Sequence, residues 1–300
     1  MAGGADPHDG EDVGGGVATS AGSVRATVWG GDVAGDGDRL RRRWSFDADP
    51  DGYHAARPGY PSAVLERLRD VCGLAEGRRV LEIGPGTGQA TNELLGAGAQ
   101  VVAVELGSHL AGYLRARFQG RPLTVIEADF DTVTPAEAGF DLAVAATSLH
   151  WLDLAVALPK IGRALLPGAW LAAWWTVYRD ADPERETPFR RSLEAVFRRH
   201  RLGRGGGGMP GALDHDAWLA EFAGAGMFDD VRVEDIRWSV PFDSRGLTAL
   251  FATFTEVTDL PEAERAALLG DIATLVDVEF GGEVVENYVT VLYLARRKAG

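Results

Sequence analysis

The chain of 300 residues has a single cysteine and no long apolar run. One cysteine cannot form an intrachain disulfide, and Cys72 lies in an apolar-periodic stretch, which predicts a small buried hydrophobic residue and not a nucleophile. The longest apolar stretches, Phe140–Leu149 and Leu165–Trp175, are far shorter than the roughly 20 residues that a membrane-spanning helix needs. No basic segment followed by an apolar one opens the sequence. We therefore expect a cytoplasmic protein with no membrane partner.

Basic residues are also scarce compared with acidic ones. Lys and Arg number 30 against 44 Asp and Glu, which gives a formal net charge of −14. Nucleic-acid binding depends heavily on Lys and Arg contacts to phosphates, so no nucleic-acid partner is expected. The basic clusters at Arg39–Arg43 and Arg190–Arg204 are interpreted as solvated surface or as local recognition of an acidic substrate.

The composition divides the chain into three regions. Residues 1–43 are rich in Gly, Ala, Asp, Ser and Thr and poor in large apolar groups, which predicts a disordered tail. Residues 44–175 are expected to form the main domain with an amino-terminal cap. Residues 176–300 are expected to supply a substrate lid and two final strands.

Short apolar runs alternate with helical stretches through the main domain. Ser62 is a plausible N-cap for the first helical run, whose apolar face contains Val64 and Leu68. Such alternation is typical of βαβ units, so it predicts a doubly wound α/β domain with a parallel sheet. The five predicted strands are Arg79–Ile83, Gln100–Glu105, Leu123–Glu127, Phe140–Ala146 and Trp170–Thr176.

The texture changes after residue 176. Helices are predicted around Pro188–Arg201, Asp214–Ala225 and Arg245–Phe280, with a glycine-rich hinge at Gly203–Gly211. The runs Val231–Phe242 and Asn287–Ala295 are rich in β-branched and aromatic residues and predict two strands that complete the sheet as an antiparallel pair.

The most informative segment is VLEIGPGTGQAT at Val80–Thr91. It is an apolar strand that contains Glu82 and is followed by Gly84, Gly86 and Gly88 before a helical run. Glycines permit a sharp turn and a close approach of a ligand to the backbone. The spacing differs from the Gly-x-Gly-x-x-Gly pyrophosphate fingerprint, and an acid before the turn suits an ammonium group better than a phosphate.

Two later strand ends carry acids as well. Glu105 ends the second strand about 20 residues past the glycine turn, where a carboxylate can bind the hydroxyls of an unphosphorylated ribose. The third strand is followed by Asp129 and Phe130, in VIEADFD. Together with FDLAVAATSLHWLD and LLPGAWLAAW, these segments resemble the class I S-adenosylmethionine-dependent methyltransferases.

That resemblance implies a Rossmann-like seven-stranded sheet with a helical lid inserted after strand 5, and S-adenosyl-L-methionine as the cofactor. It implies that Asp129 holds the adenine amino group and that Phe130 lines the base pocket. YHAARPGYP and SLHW further resemble a bacterial small-molecule subgroup that includes trans-aconitate methyltransferase-like and natural-product tailoring enzymes. The implied cofactor-binding residues are Tyr53, Arg57, Glu82, Gly84, Gly86, Gly88, Glu105, Leu106, Asp129, Phe130 and Thr147.

The sequence leaves the roles of Tyr53, Arg57 and His150 open. Tyr53 and Arg57 either reach the methionine carboxylate or the substrate, or pin the tail to the sheet. His150 is the candidate catalytic residue, as a base during methyl transfer, or else a pocket wall together with Trp151. No metal is expected, and the chain is expected to be a monomer or homodimer.

The expected activity is methylation of a small organic molecule at oxygen, carbon or nitrogen, in secondary metabolism. One alternative keeps the fold and cofactor but replaces methylation with a cyclisation or a pericyclic step. Another is an NAD-dependent oxidoreductase, which the spacing of the glycines and Glu82 disfavour.

Overall fold

The computed structural model describes residues 50–178, 183–202 and 210–299. The predicted tail at 1–43 and most of the glycine-rich hinge lie outside the described residues. Seven strands form one sheet in the order β3-β2-β1-β4-β5-β7-β6. The strands are β1 Arg79–Ile83, β2 Gln100–Glu105, β3 Leu123–Glu127, β4 Phe140–Ala146, β5 Leu165–Val177, β6 Phe228–Asp243 and β7 Glu283–Arg297.

The first five strands are parallel, while β7 pairs antiparallel with both β5 and β6. The predicted bounds of β1 to β4 are confirmed, because each is a short apolar run bordered by polar or glycine-rich segments. The predicted antiparallel completion of the sheet is also confirmed. β6 and β7 extend beyond their predicted ends because their antiparallel ladder continues through polar residues. β5 begins earlier than predicted, at Leu165, which pairs with Phe140 of β4.

Helices cover both faces of the sheet. One apolar cluster includes Leu81 and Ile83 of β1, and the other includes Val80 of the same strand, as the alternation of side chains along a strand requires. The helices are α1 Pro50–Ala56, α2 Ser62–Asp70, α3 Gln89–Gly96, α4 Ser108–Arg117, α5 Leu154–Ala164, α6 Pro188–Arg199, α7 His215–Gly224, α8 Ser244–Phe251, α9 Thr255–Thr258 and α10 Glu262–Thr274.

Three expectations about helices need correction. The turn-rich segment before residue 62 contains a helix, α1. Ser62 is the first residue of α2 and not its N-cap; Pro61 occupies the cap position and makes no side-chain cap hydrogen bond. The helical region at 245–280 is divided into α8, α9 and α10, and a π-helical turn at Leu275–Glu279 ends it.

The helices beyond β5 enter the sequence at two places. α6 and α7 lie between β5 and β6, and α8 to α10 lie between β6 and β7, so the helical segments are not confined to one insertion after strand 5. α6 and α8 to α10 share a third apolar cluster with the ends of β5 and β7. We call the helices α6 and α8 to α10 the lid.

A buried ion pair joins the lid to the sheet. Arg190 of α6 donates a hydrogen bond from Nη1 to Glu286 of β7 at 2.7 Å, and the two side chains are only 7% and 2% exposed. Arg190 is therefore not part of a solvated surface, which was one of the two interpretations of the basic cluster at Arg190–Arg204. Burial raises the pKa of Glu286 to about 7 despite the opposing effect of Arg190.

Cys72 is buried in the apolar cluster beneath α2, as predicted, and burial raises the pKa of its thiol to about 12. Within the described ranges, no helix is both long and apolar enough to cross a membrane. Nor do those ranges bring three or more His, Cys, Asp or Glu side chains together in a group that could hold a metal ion.

We predict that Arg190→Met destabilises the fold by about 3–5 kcal/mol, because Glu286 would be left buried without its cation. Arg191→Met is the matched control: its pair with Glu186 is exposed, so a loss of about 0–1 kcal/mol is expected. Urea unfolding of both variants measures the difference. Equal stabilities would contradict a structural role for the buried pair.

Candidate functional site

The glycine turn between β1 and α3 is the centre of the site. Gly84, Gly86 and Gly88 all have positive φ values, of 64°, 58° and 85°. A side chain in this backbone conformation is strained, which explains why glycine occupies the positions. The three glycines nevertheless differ in their surroundings.

Two of the glycines are required by packing. A Cβ atom on Gly84 would lie 2.7 Å from the Cβ of Ser148, and one on Gly88 would lie 2.6 Å from the ring of Phe118. A Cβ on Gly86 would meet nothing within 4 Å. Gly86 is therefore the position at which the turn faces open space and leaves room for a ligand against the backbone.

Glu82 lies on β1 just before this turn and is fully buried. Its Oε2 accepts a hydrogen bond from the hydroxyl of Thr91 at 2.7 Å, but among the described residues its Oε1 has no hydrogen-bond partner. Burial raises the pKa of this carboxyl to about 8; the Thr91 hydrogen bond opposes the rise and the nearby Glu105 adds to it. A buried acceptor oxygen without a partner is costly, and it is a position where a cationic ligand group would be favourable.

Glu105 holds the turn in place. Its Oε2 accepts from the backbone N–H of Gly86 at 3.0 Å, and its Oε1 accepts from that of Gly107 at 2.9 Å. Leu106, the next residue, is half-buried. The sequence predicted a ribose acid at this position, and the structure adds a bracing role between the turns after β1 and β2.

The segment after β3 also ends at the carboxyl edge of the sheet. Asp129 is half-buried and accepts from the backbone N–H of Asp131 at 3.1 Å. The ring of Phe130 is buried in the core on one face of the sheet, with Lys160 Nζ 5.3 Å from its centroid. The structure thus brings Asp129 to the edge while the phenyl ring packs inward.

The loop after β4 closes the same edge from the other side. Thr147 has a positive φ of 56°, which is uncommon for a residue other than glycine, and its Oγ1 lies 3.4 Å from the hydroxyl of Tyr60. Ser148 donates a hydrogen bond from its hydroxyl to the carbonyl oxygen of Ile83 at the end of β1. Its small side chain also fits against Gly84, a role that the sequence pattern did not reveal.

His150 follows in a short 3-10 helix at Leu149–Trp151 and is 7% exposed. The indole N–H of Trp175 donates to its Nδ1 at 2.8 Å. Since an indole nitrogen can only donate, Nδ1 is the acceptor and the neutral ring carries its proton on Nε2. In this tautomer Nε2 is a hydrogen-bond donor, so the geometry favours a pocket wall or donor over a base.

The amino-terminal helix α1 lies across the site. Arg117 of α4 donates to Nε2 of His54 at 2.8 Å, and Nδ1 of His54 lies 3.4 Å from the hydroxyl of Thr87 in the glycine turn. Burial and Arg117 together lower the pKa of His54. Tyr53 lies beside His54 in α1 and its ring contacts the guanidinium of Arg57, which follows the helix and hydrogen-bonds Thr253 of the lid segment. No sequence pattern indicated His54 as a contact to the turn.

Comparison with known proteins agrees with this geometry. Residues 81–173 match the family model described as a methyltransferase domain. This part of the chain is similar to the methyltransferase domain family, and the match covers less than half of the chain. It contains the glycine turn, the acids at the ends of β1 and β2, and the loop with His150.

Two relatives extend the comparison beyond the methyltransferase domain. An uncharacterized methyltransferase of Mycobacterium tuberculosis is 31% identical over 158 residues, 47% of this chain and 62% of that protein. This chain thus spans less than two thirds of that relative. An uncharacterized methyltransferase-like protein of Schizosaccharomyces pombe is 25% identical over 260 residues, 85% of this chain and 96% of that protein.

Among solved structures, phosphoethanolamine N-methyltransferase 2 of Haemonchus contortus, in complex with phosphomonomethylethanolamine and S-adenosylhomocysteine, superposes with a TM-score of 0.53. It is 17% identical, and the match covers 89% of this chain and 61% of that one. The likeness shows that the sheet and its flanking helices have the class I methyltransferase fold.

We predict that Gly88→Ala destabilises the protein more than Gly86→Ala. Both place a Cβ at positive φ, which costs about 1 kcal/mol, but only the first forces overlap with Phe118 and Leu114, adding about 1–3 kcal/mol. Urea unfolding of the two variants provides the comparison. If Gly86→Ala proves the less stable, Gly86 does not face open space as described.

Proposed function

We propose that the protein is an S-adenosylmethionine-dependent methyltransferase that methylates a small organic molecule. The observation that carries the proposal is Glu82: a fully buried carboxylate with one unpartnered oxygen, at the start of a glycine turn that is open at Gly86. The site residues fit a nucleoside that bears an amino acid. The solved complex of the Haemonchus contortus methyltransferase with S-adenosylhomocysteine supports the same choice of cofactor.

Each binding residue has a distinct role in this proposal. Glu82 would hold the ammonium group of the amino acid, and the backbone at Gly86 would lie against the nucleoside. Glu105, which braces the turn, would accept from the ribose hydroxyls, and Asp129 would accept from the adenine amino group. A dinucleotide fits less well, because the carboxylate of Glu105, and that of Glu82 once it is ionised, would repel its pyrophosphate.

The cofactor supplies an activated methyl group on a sulfonium, so the protein mainly has to align an acceptor and exclude water. His150 would donate a hydrogen bond from Nε2 to the acceptor, held in that tautomer by Trp175. The lid would cover the reacting groups.

We place the protein in the cytoplasm, as a monomer or homodimer that acts in secondary metabolism. It would have no nucleic-acid or membrane partner. The acidic net charge of −14 supports the absence of a polynucleotide substrate.

Substitutions at the glycine turn and at Asp129 are expected to lower the affinity for the cofactor. Gly86→Arg, which fills the open space over the turn, and Asp129→Ala should each weaken S-adenosylhomocysteine binding by about tenfold or more while the protein remains folded. Isothermal titration calorimetry measures the affinity, with NAD as the competing ligand. Gly96→Arg and Glu127→Ala are the matched controls, since both positions are exposed. Unchanged affinity in both site variants, or preferential binding of NAD, would refute the proposed site.

The affinity for the cofactor is expected to depend on pH through Glu82. Burial raises the pKa of Glu82 to about 8, so below that pH the carboxyl of the free protein is protonated and must lose its proton before it can pair with an ammonium group. The affinity for S-adenosylhomocysteine should therefore rise by about tenfold per pH unit as the pH approaches about 8, and then level off. In Glu82→Gln the affinity should be low and this rise absent. A wild-type affinity that falls as the pH rises toward the same value would exclude the ammonium pairing.

The rate of turnover is expected to depend on His150. His150→Ala should lower turnover by about 100-fold with nearly unchanged cofactor affinity, because it removes the donor and not the nucleoside pocket. Trp175→Phe should lower turnover to a smaller extent, since His150 remains but loses the hydrogen bond that selects its tautomer. Methyl-labelled cofactor and a panel of acceptors provide the assay by mass spectrometry. Normal turnover in His150→Ala would assign the residue to packing, and an unlabelled rearranged product would replace methylation with the non-methylating alternative.

A further inference from the structure

A second charged feature lies on the lid side of the site. The guanidinium carbon of Arg57 is 5.0 Å from the ring centroid of Tyr53, 4.9 Å from that of Tyr178 and 4.4 Å from that of Phe254. Three aromatic faces within about 6 Å stabilise a cation and shield it from water. We call Arg57 and these three rings the aromatic cage.

The hydrogen bonds of Arg57 use only part of its capacity. Its Nε donates to the hydroxyl of Thr253 at 2.8 Å, and its Nη2 donates to the Thr253 carbonyl at 3.3 Å. A guanidinium has five N–H groups, so donors remain beyond these two bonds and the side-chain hydrogen bond with Tyr178. Across residues 50–178, 183–202 and 210–299, no acidic side chain forms an ion pair with Arg57, although the chain contains 44 acidic residues.

The contrast with Arg190 shows what is missing. The side chain of Arg190 is also removed from solvent, but it pairs directly with the carboxylate of Glu286. The aromatic cage stabilises the charge of Arg57 without neutralising it, because ring faces carry only partial negative charge. A half-buried guanidinium of this kind is suited to receive an anionic group from a ligand.

The geometry of α1 indicates which ligand this is. His54 contacts Thr87 in the glycine turn, whereas Arg57, about one helical turn further along the chain, binds Thr253 between α8 and α9. Tyr178 and Phe254 belong to the apolar cluster of the lid. Arg57 thus binds the lid, which covers the acceptor in the proposed function, whereas His54 contacts the turn assigned to the nucleoside.

We propose that the aromatic cage is an anion subsite and that Arg57 binds a carboxylate group of the acceptor. This inference rests on the proposed function, because it assigns the substrate class of the same site. The planar fork of a guanidinium matches a carboxylate, and the three rings supply apolar walls that strengthen the pairing by excluding water. The acceptor is then an organic acid whose carboxylate is held at the lid while another of its atoms faces the methyl group.

The test uses the full-length protein saturated with S-adenosylhomocysteine. The Nε–Hε resonance of Arg57, identified by its absence in Arg57→Lys, is followed by NMR during titrations with benzoate and hexanoate, and with benzamide and hexanamide as neutral controls. We expect a saturable shift with the acids, with a Kd on the order of 1 mM, and none with the amides. Acids and amides that act alike, or no saturable shift with either acid, would overturn the proposal.

Calorimetry of Arg57→Gln separates this subsite from the cofactor site. The variant should bind benzoate about tenfold or more weakly and S-adenosylhomocysteine as tightly as the wild type does. Arg67→Gln, an arginine on α2 that pairs with Glu234 at the surface, is the matched control and should retain both affinities. If Arg57→Gln instead loses S-adenosylhomocysteine, Arg57 serves the carboxylate of the cofactor and the acceptor subsite is refuted. If the wild type binds no S-adenosylhomocysteine, the proposed function itself fails.

Thr253→Val provides a second variant in case Arg57→Gln disturbs the lid. It removes one hydrogen bond that orients the guanidinium but keeps the cation and the three rings. Benzoate affinity should fall less than in Arg57→Gln, while the difference between acids and amides persists. An acid preference lost entirely in Thr253→Val would contradict recognition by the cation.

Discussion

The site depends on one carboxylate that holds two backbone amides. Glu105 binds the N–H of Gly86 with one oxygen and that of Gly107 with the other, so the turns after β1 and β2 are fixed to each other. Hydrogen bonds to an ionised acceptor are stronger than neutral ones, and here both are well removed from solvent. The glycine turn can therefore keep three positive φ values, with Gly86 facing open space.

The burial of Glu82 is the energetically unfavourable feature of the site. Its carboxyl is removed from water and is compensated on one oxygen by Thr91 alone, and this burial raises its pKa. A fold selected only for stability would favour an apolar residue at the end of a buried strand. An uncompensated acid next to open backbone is typical of a site where a ligand supplies the missing charge.

Much of the fold could be predicted because its signals are local. Buried parallel strands appear as short apolar runs, and β1 to β4 begin and end where the sequence indicated. The short helix α1 could not be predicted, since PDGYHAA has a weak helical pattern and the helix is held by distant partners. Arg117 contacts His54, and Thr253, 196 residues away along the chain, binds Arg57.

The candidate site shows the same division. The acids at the ends of β1 and β2 followed from their spacing around the glycine turn, because residues at the carboxyl ends of parallel strands meet at one edge of the sheet. The sequence did not indicate that Glu105 braces two turns or that the ring of Phe130 points into the core. Nor did it indicate the hydrogen bond from Trp175 that fixes the tautomer of His150, since that pair depends on how β5 lies beside β4.

A crystal structure of the protein with S-adenosylhomocysteine tests the central claim most directly. The account predicts the amino group of the ligand within hydrogen-bond distance of Glu82 Oε1, its nucleoside against the backbone of Gly86, and its adenine near Asp129. A ligand bound elsewhere, or a site that takes up NAD in preference to the adenosyl amino acid, would contradict the account.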